Sequence, residues 1–335
     1  MGKIIEERRN YSDARFERLR KSLIESVEIC KDKACVYATG SFGRREASSH
    51  SDIDLFIASL DDDNKSDRGR LSKLDEILVK AELIRKSRTL EFPPFSKDGH
   101  FLQHHTVSNL TRSTGNQNDD AENTFTARLL LLLESMPLIG EDVHARIIDD
   151  VIARYWREFQ YYSDCFMPAY LANDILRYWR TLCLNYEAST SGLKTKEQAP
   201  EERAERKIKN YKLKHSRMLT CYSAVLYLLF IYGKRKTVTP LEAKTMVGLT
   251  PTARVEFVAS EMRGSDLATK LGDFLGKYER FLDVTNSSKE QLIKVFSDKS
   301  EAQKLRDEQS EFGDLAYTIL YSIGHDNSLY RRLVI

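Results

Sequence analysis

Two aspartates one residue apart, Asp52 and Asp54, follow a Gly-Ser pair, Gly40 and Ser41, with ten residues between. Side chains at i and i+2 of a strand share a face. The run Ser51-Asp52-Ile53-Asp54-Leu55-Phe56-Ile57 therefore presents two carboxylates side by side and sends Ile53 and Leu55 to the core. Like charges this close repel unless a cation lies between them, and a divalent metal supplies that cation. Mg²⁺ prefers hard oxygen ligands and keeps waters, so two carboxylates plus a substrate's phosphates suffice; Mn²⁺ accepts the same donors. Upstream, Gly40 lets the backbone approach a phosphate, and Ser41 offers a hydroxyl and an N–H near an expected helix start, where the dipole favours anions. Arg44 or Arg45 adds positive charge. Asp52 and Asp54 are thus the candidate catalytic and metal residues, and Gly40, Ser41 and Arg44 candidate nucleotide-binding residues. Such a set suits attack by an acceptor hydroxyl on the α-phosphate of a nucleoside triphosphate, with pyrophosphate leaving and divalent metal offsetting the charge.

The elements that must position these residues read as follows. Phe16, Leu19, Leu23 and Val27 predict an amphipathic helix from about Tyr11 to Cys30. Ala34–Ala38 is a β-prone run that stops at Gly40, and Ile53–Leu60 is the second strand candidate. Asp61-Asp62-Asp63-Asn64 breaks the pattern. Leu71, Leu74, Ile77, Leu78, Ala81 and Ile84 give helical periodicity over Arg68–Arg85. Thr89–Phe92 is β-prone but halted by Pro93-Pro94, Lys97-Asp98-Gly99 is turn-like, and Phe101–Val107 reads as a strand. These predict a small mixed sheet with a helix on one side. Polar Asn109–Asn123 reads as a loop. Thr124–Glu134 is apolar nearly all round, hence a buried helix in which Arg128 needs a partner, and Met136–Gly140 ends it.

Beyond Asp142 the pattern is almost wholly helical, over about 142–162, 168–187, 200–232, 240–247, 251–262, 265–283, 288–308 and 311–323. Thr239-Pro240-Leu241-Glu242 is a capping box with Pro at the first helical position, and Thr250-Pro251 repeats half of it. Residues 188–199 form a polar connection. The expected fold is an α/β domain over 1–145, a small mixed sheet with helices, followed by an all-α helical domain over 146–335.

The glycine turn after one strand and the D-I-D entering the next resemble the signature of the DNA polymerase beta-like nucleotidyltransferase superfamily. The local text G-S-F-G-R-R-E-A-S-S-H-S-D-I-D-L-F is most similar to the PII-protein uridylyltransferase-like (GlnD-like) members, over about residues 36–60. The order of halves is also similar. The resemblance implies Mg-dependent transfer of NMP from an NTP to an acceptor hydroxyl on a protein or an RNA, tRNA included, by a catalytic domain whose nucleotide cleft a helical domain closes. It also implies a third carboxylate from a later strand. Glu91 precedes a Pro-Pro pair, and the 101–107 strand offers His104 and His105 but no acid; Asp119, Asp120 and Glu122 remain. Two other readings stay open: a non-catalytic nucleotide sensor or scaffold, motivated by the unassigned third acid, and a toxin or defence-type transferase acting on tRNA.

Other constellations are set against this frame. Asn173, Asp174 and Arg177, with Trp179 and Arg180, fit either a wall of a nucleotide cleft or a helix–helix contact. The basic stretch Lys207–Arg217 carries Lys214 and Arg217 one turn apart before an apolar run; both are candidate triphosphate ligands, and the neighbouring lysines suit a solvated face or an acidic acceptor. Tyr155, Trp156, Phe159, Tyr161, Tyr162 and Phe166 read as core packing, with base stacking the alternative. His144, His215 and His325 form no zinc-type pattern.

Composition bounds the rest. The 335 residues carry a formal charge of +2, so any nucleic-acid-binding surface is local. A hydrophobic content of 41% supports real cores, and 30% charge a soluble surface. Five scattered cysteines without C-x-x-C fit reduced thiols in the cytoplasm. The charged N-terminus lacks a signal-peptide core, and the apolar run Ala224–Tyr232 is too short to span a bilayer, so no membrane partner is expected. The long helical half leaves self-association to a homo-oligomer open.

Overall fold

The computed structural model describes residues 2–62, 65–95, 99, 102–112, 114, 115, 118–190 and 200–334. The chain divides into two compact units, Glu6–Glu158 and Phe159–Ile335 together with Met1–Ile5.

The first unit begins with α1 (Lys3–Ser22) and α2 (Ile24–Cys30), two helices broken at Leu23 where the sequence predicts one. β1 (Ala34–Thr39) leads into α3 (Gly40–Gly43), then come β2 (Asp54–Ser59), β3 (Asp61–Asp62), β4 (Lys65–Gly69) and α4 (Lys73–Thr89). β5 (His104–Thr106), α5 (Val107–Arg112), α6 (Asn118–Ala121), α7 (Thr124–Glu134), β6 (Met136–Ile139) and α8 (Glu141–Tyr155) complete it. The expected boundary at 145/146 falls inside α8. The main sheet has order β5-β2-β1-β6. β1 pairs antiparallel with β2 and β6, and β2 pairs parallel with β5, so the sheet is mixed.

Both faces of the sheet are covered, whereas the sequence predicts a helix on one side only. One face (Val36, Ala38, Leu55 and Ile57) packs on Phe16 and Leu19 of α1 and Val79 and Leu83 of α4. On the other, Tyr37 stacks on Phe56 at 5.6 Å and meets His144 of α8 at 5.5 Å. Strands buried on both faces read as continuous apolar runs without alternation, and every residue of β1 is buried.

Five local expectations are corrected. Asp61 and Asp62 do not simply end β2; they pair with β4 in a second, two-stranded sheet, while Asp63 and Asn64 lie outside the described residues. Thr89–Phe92 is not extended: α4 runs to Thr89 and Glu91 takes a left-handed backbone, φ 55°. The 109–123 stretch holds most of α5, which begins at Val107, and all of α6. β6, with Pro137, is an added strand; it sits at a sheet edge, where the missing N–H of proline is tolerated. The expected 101–107 strand is reduced to His104–Thr106, and Lys97, Asp98 and Phe101 lie outside the described residues.

α4 also buries a different face from the one its periodicity predicts. Leu74, Ile77 and Leu78 are exposed, and Val79, Glu82, Leu83 and Ser87 are buried. The reason is Glu82, whose carboxylate accepts from the Ser26 N–H and from Ser26 Oγ, both at 2.6 Å. It thereby satisfies an orphan donor in the first turn of α2, and that bond sets the rotation of α4.

Arg128 of α7, with no exposed surface, has the partner its burial demands. Its Nη1 donates to Asp119 Oδ1 at 2.9 Å and to the Leu110 carbonyl at 3.1 Å, its Nη2 to Asp119 Oδ2, and its Nε to Tyr155 Oη at 3.0 Å. The bidentate geometry and the two further acceptors satisfy a charge that would otherwise be costly in the core.

The second unit contains α9 (Ala169–Thr190), α10 (Pro200–Lys212), a π-helical turn at Leu213–Arg217, α11 (Met218–Arg235), α12 (Pro240–Gly248) and α13 (Pro251–Glu261). α14 (Asp266–Val284), α15 (Lys289–Ser297), α16 (Lys299–Gly324) and α17 (Ser328–Val334) follow. α11 is its centre, buried continuously from Met218 to Cys221 and from Ser223 to Tyr232, and packs on α9, α13 and α16. The helical stretch Pro200–Arg235 is long and apolar enough, by composition, to cross a membrane, but 83% of its apolar window is buried inside the protein. It is the core of this unit. The capping box is formed: Glu242 N donates to Thr239 Oγ1 at 3.2 Å and Thr239 N to Glu242 Oε2 at 2.7 Å. Of the 188–199 connection, 191–199 lie outside the described residues.

Candidate functional site

The site is built where β1 ends. Thr39, its last residue, is the cross-strand partner of Asp54, the first of β2. Gly40 then turns the chain with φ 65°, a left-handed conformation that favours glycine. A Cβ on Gly40 would lie 2.7 Å from Asp54 Oδ2, so the missing side chain is also what gives the carboxylate its place. Gly43 is needed for a different reason. A Cβ there would stand 1.9 Å from the Glu134 carbonyl oxygen, because the turn packs backbone to backbone on the end of α7.

Glu134, the last residue of α7, holds the turn. Its Oε1 accepts from the Gly40 N–H at 3.1 Å and its Oε2 from Arg44 Nη1 at 2.8 Å. Arg44 Nε donates to Glu46 Oε2 at 2.8 Å. All three side chains are buried. Arg44, a candidate phosphate ligand in the sequence, is thus committed to two carboxylates beneath the turn. Arg45, in a left-handed conformation, pairs with Asp13.

Asp52 is delivered by a second turn. Ser48 N donates to Ser51 Oγ at 3.0 Å and His50 N to Ser48 Oγ at 3.2 Å, a short side-chain-stabilised turn of the kind serine favours. Asp52 and Asp54 are half-buried, while Ile53 and Leu55 are each 1% exposed. Ser41 is half-buried on the turn.

Among the described residues, no third acid is placed with them, and no group of three or more His, Cys, Asp or Glu side chains could hold a metal ion. Glu91 is exposed, Asp119 is bound to Arg128, Asp120 and Glu122 are exposed, and Glu134 is occupied by Gly40 and Arg44. The donor set nonetheless fits a hard divalent cation: two half-buried carboxylates, that of Asp54 against Gly40, are oxygen ligands of the kind Mg²⁺ takes together with waters and phosphates.

The histidines of β5 are engaged elsewhere. His104 Nε2 lies 2.8 Å from Ser59 Oγ, and its Nδ1 lies 3.1 Å from Glu76 Oε2. This has the connectivity of a serine–histidine–acid relay, but Ser59 is fully buried and a Cβ on Gly69 would meet its Oγ at 2.1 Å. No substrate reaches that hydroxyl, so the relay pins β5, β2 and α4 together. Burial drives His104 below its ordinary value, against the opposing pull of Glu76. His105 is buried and stacked on Phe56, and burial, aided by His104, pushes it down to about 4. Neither histidine is placed as a base for the Asp52–Asp54 pair.

Lys214 and Arg217 belong to the π-helical turn of the other unit. Lys214 Nζ lies 5.2 Å from the centre of the Trp179 ring. Asp174 is buried and pairs with Arg177 at 3.9 Å, the intrahelical contact the spacing allows. The aromatic segment splits: Tyr155, Trp156 and Phe166 are buried, whereas Tyr161 and Tyr162 are 73% and 56% exposed. His144 bonds Ser135 Oγ at 2.9 Å, and His215 stacks between Phe281 and Phe312.

Sequence reasoning missed Glu134. It reads as the polar end of an apolar helix, and the only signal was a carboxylate placed where a buried helix meets a strand. Residues 17–99 match the family model of the nucleotidyltransferase domain. No curated protein and no solved structure matches the chain.

Proposed function

We propose, from the nucleotidyltransferase domain that residues 17–99 form, that this protein transfers a nucleoside monophosphate from an NTP to a hydroxyl of a protein or RNA acceptor. The observation that carries the reading is the juxtaposition of the Gly40 turn with Asp54, in register across β1 and β2 and held from beneath by Glu134. Asp52 and Asp54 would hold Mg²⁺ or Mn²⁺, which when bound neutralises charge on the reacting phosphates. Gly40, whose N–H is held by Glu134, lets the β- and γ-phosphates approach the backbone, and Ser41 offers its N–H and hydroxyl to them. Arg44 acts as a positioning residue: it fixes Glu134, which fixes the turn. The acceptor oxygen forms a bond to the α-phosphorus, the bond from that phosphorus to the bridging oxygen breaks, pyrophosphate leaves, and the hydroxyl proton passes to solvent. Five free thiols, three of them buried, support a reducing, cytoplasmic setting.

The two-carboxylate donor set favours one alternative, a nucleotide-binding sensor that performs no transfer. Incubation with each α-labelled NTP, Mg²⁺ and a cell lysate separates the two. Transfer predicts label on a protein or RNA band with wild type and none with Asp54→Ala. Label that persists in Asp54→Ala, or its absence from wild type, refutes it.

A further inference from the structure

The helical unit holds a cavity of about 490 Å³. Four cations line it: Arg206 and Lys207 of α10, Lys214 of the π turn, and Arg306 of α16, with Glu187 the one acid. Among the described residues, none of the four cations is ion-paired with a carboxylate. Other cations of this unit are paired, Lys289 with Glu205 at 2.7 Å, and Lys277 with Glu311, Lys234 with Glu261 and Arg235 with Glu242 at 2.6 Å; what sets these four apart is that they share one concavity.

The arrangement is built rather than loose. Lys207 Nζ donates to the Phe296 carbonyl at 3.0 Å, which ties its head group to the start of the bend between α15 and α16. Burial, with Arg306, Arg203 and Arg206 nearby, lowers its affinity for its proton. Lys214 leans over Trp179, a cation–π contact that fixes the chain while leaving the ammonium donors usable. Lys214 sits in a π turn, an extra residue in an otherwise α-helical stretch; such turns are uncommon and recur at functional sites. Concentrated like charge destabilises a fold, so an unpaired cluster around one cavity calls for an anion. The volume lies within the roughly 300–1,000 Å³ of small-molecule sites, and the cations ring a concavity instead of tracking a face as a nucleic-acid backbone requires.

We propose that this cavity is a binding site for a small, multiply phosphorylated anion, of the class of inorganic polyphosphate or a nucleoside polyphosphate, taken up without a bridging metal. Its cations supply charge-assisted donors to the phosphates, and Asn210 on the lining offers a neutral amide. All of its lining residues belong to the helical unit, whereas Asp52 and Asp54 belong to the other.

The test is calorimetric titration of the full chain with inorganic tripolyphosphate, and separately with ATP, in EDTA at low salt. Wild type is expected to bind in EDTA, Asp54→Asn and Lys234→Gln, at the far end of α11 from Lys214, equally well, and Arg206→Gln/Arg306→Gln about a hundredfold more weakly, or about tenfold for each charge-assisted bond removed. Unchanged circular dichroism checks the fold of the double variant, and Arg306→Gln alone, about tenfold weaker, serves if the pair does not fold. Absence of binding to wild type overturns the site. So does its loss in Asp54→Asn, its persistence in the arginine variants, or binding of an RNA oligonucleotide but not of tripolyphosphate.

Discussion

Replacing Gly40 by alanine adds one carbon where the structure has no room for it. Two costs follow. The residue sits at φ 65°, and an L side chain held left-handed loses about 1–2 kcal/mol. The new Cβ would also stand 2.7 Å from Asp54 Oδ2. The backbone cannot yield easily, because Thr39 and Asp54 are paired across the sheet and the Gly40 N–H is bonded to Glu134. The carboxylate must therefore rotate away, by roughly the 1 Å that suffices to cost about 100-fold in rate at a reacting centre. Gly40→Ala is expected to lower urea stability by about 1–3 kcal/mol and to lower transfer of α-labelled NMP by about 100-fold or more, so that activity falls in a protein that is still folded. Far-ultraviolet circular dichroism and the labelling assay read the two effects separately. Full activity in a folded Gly40→Ala protein would refute the placement of Asp54 against the turn as the basis of catalysis.

Two further expectations concern stability. Asp119→Asn leaves the fully buried Arg128 without its counter-charge, and should cost about 3–5 kcal/mol in urea unfolding; a loss below about 1 kcal/mol would mean that Leu110 and Tyr155 alone suffice. His105 and His144 are both pushed by burial from 6.5 down to about 4. The unfolded chain therefore takes up protons that the folded chain refuses, so stability is full above pH 6.5 and falls as pH drops towards 4, by about 3 kcal/mol for each histidine. Urea midpoints that stay level across that window would contradict the burial of both rings.

What was legible in the sequence was what is local. The Gly-Ser turn and the Thr239 capping box each rest on neighbours within a few residues, and each formed; burial alternates over Asp52–Leu55 as the D-I-D spacing predicts, although β2 itself begins only at Asp54. What escaped depends on distance along the chain. Glu134 acts on a glycine 94 residues away. Asp119 and Arg128 are nine apart, a spacing that no single helix brings together. Polar composition from Asn109 to Asn123 read as a loop because the residues that make α5 and α6 pay their way through that buried ion pair and not through apolar periodicity. In α4 the apolar letters were real, but Glu82 capping α2 decided which face went inward. The family match itself ends at residue 99, before the strand and the carboxylate that complete the turn.

The span from Gly40 to Glu134 also orders events in time. At a synthesis rate of roughly 5–20 residues per second, roughly 5–20 s separate the emergence of the motif from that of the residue that braces it. β1 meanwhile lacks its β6 neighbour, and the Gly40 N–H lacks its acceptor. A nascent chain halted at residue 99 would carry every letter of the motif without the turn those letters encode. The turn thus lacks its brace until more than a third of the protein has been synthesised, and an abortive fragment would carry the Gly-Ser and Asp-Ile-Asp residues without the geometry that joins them.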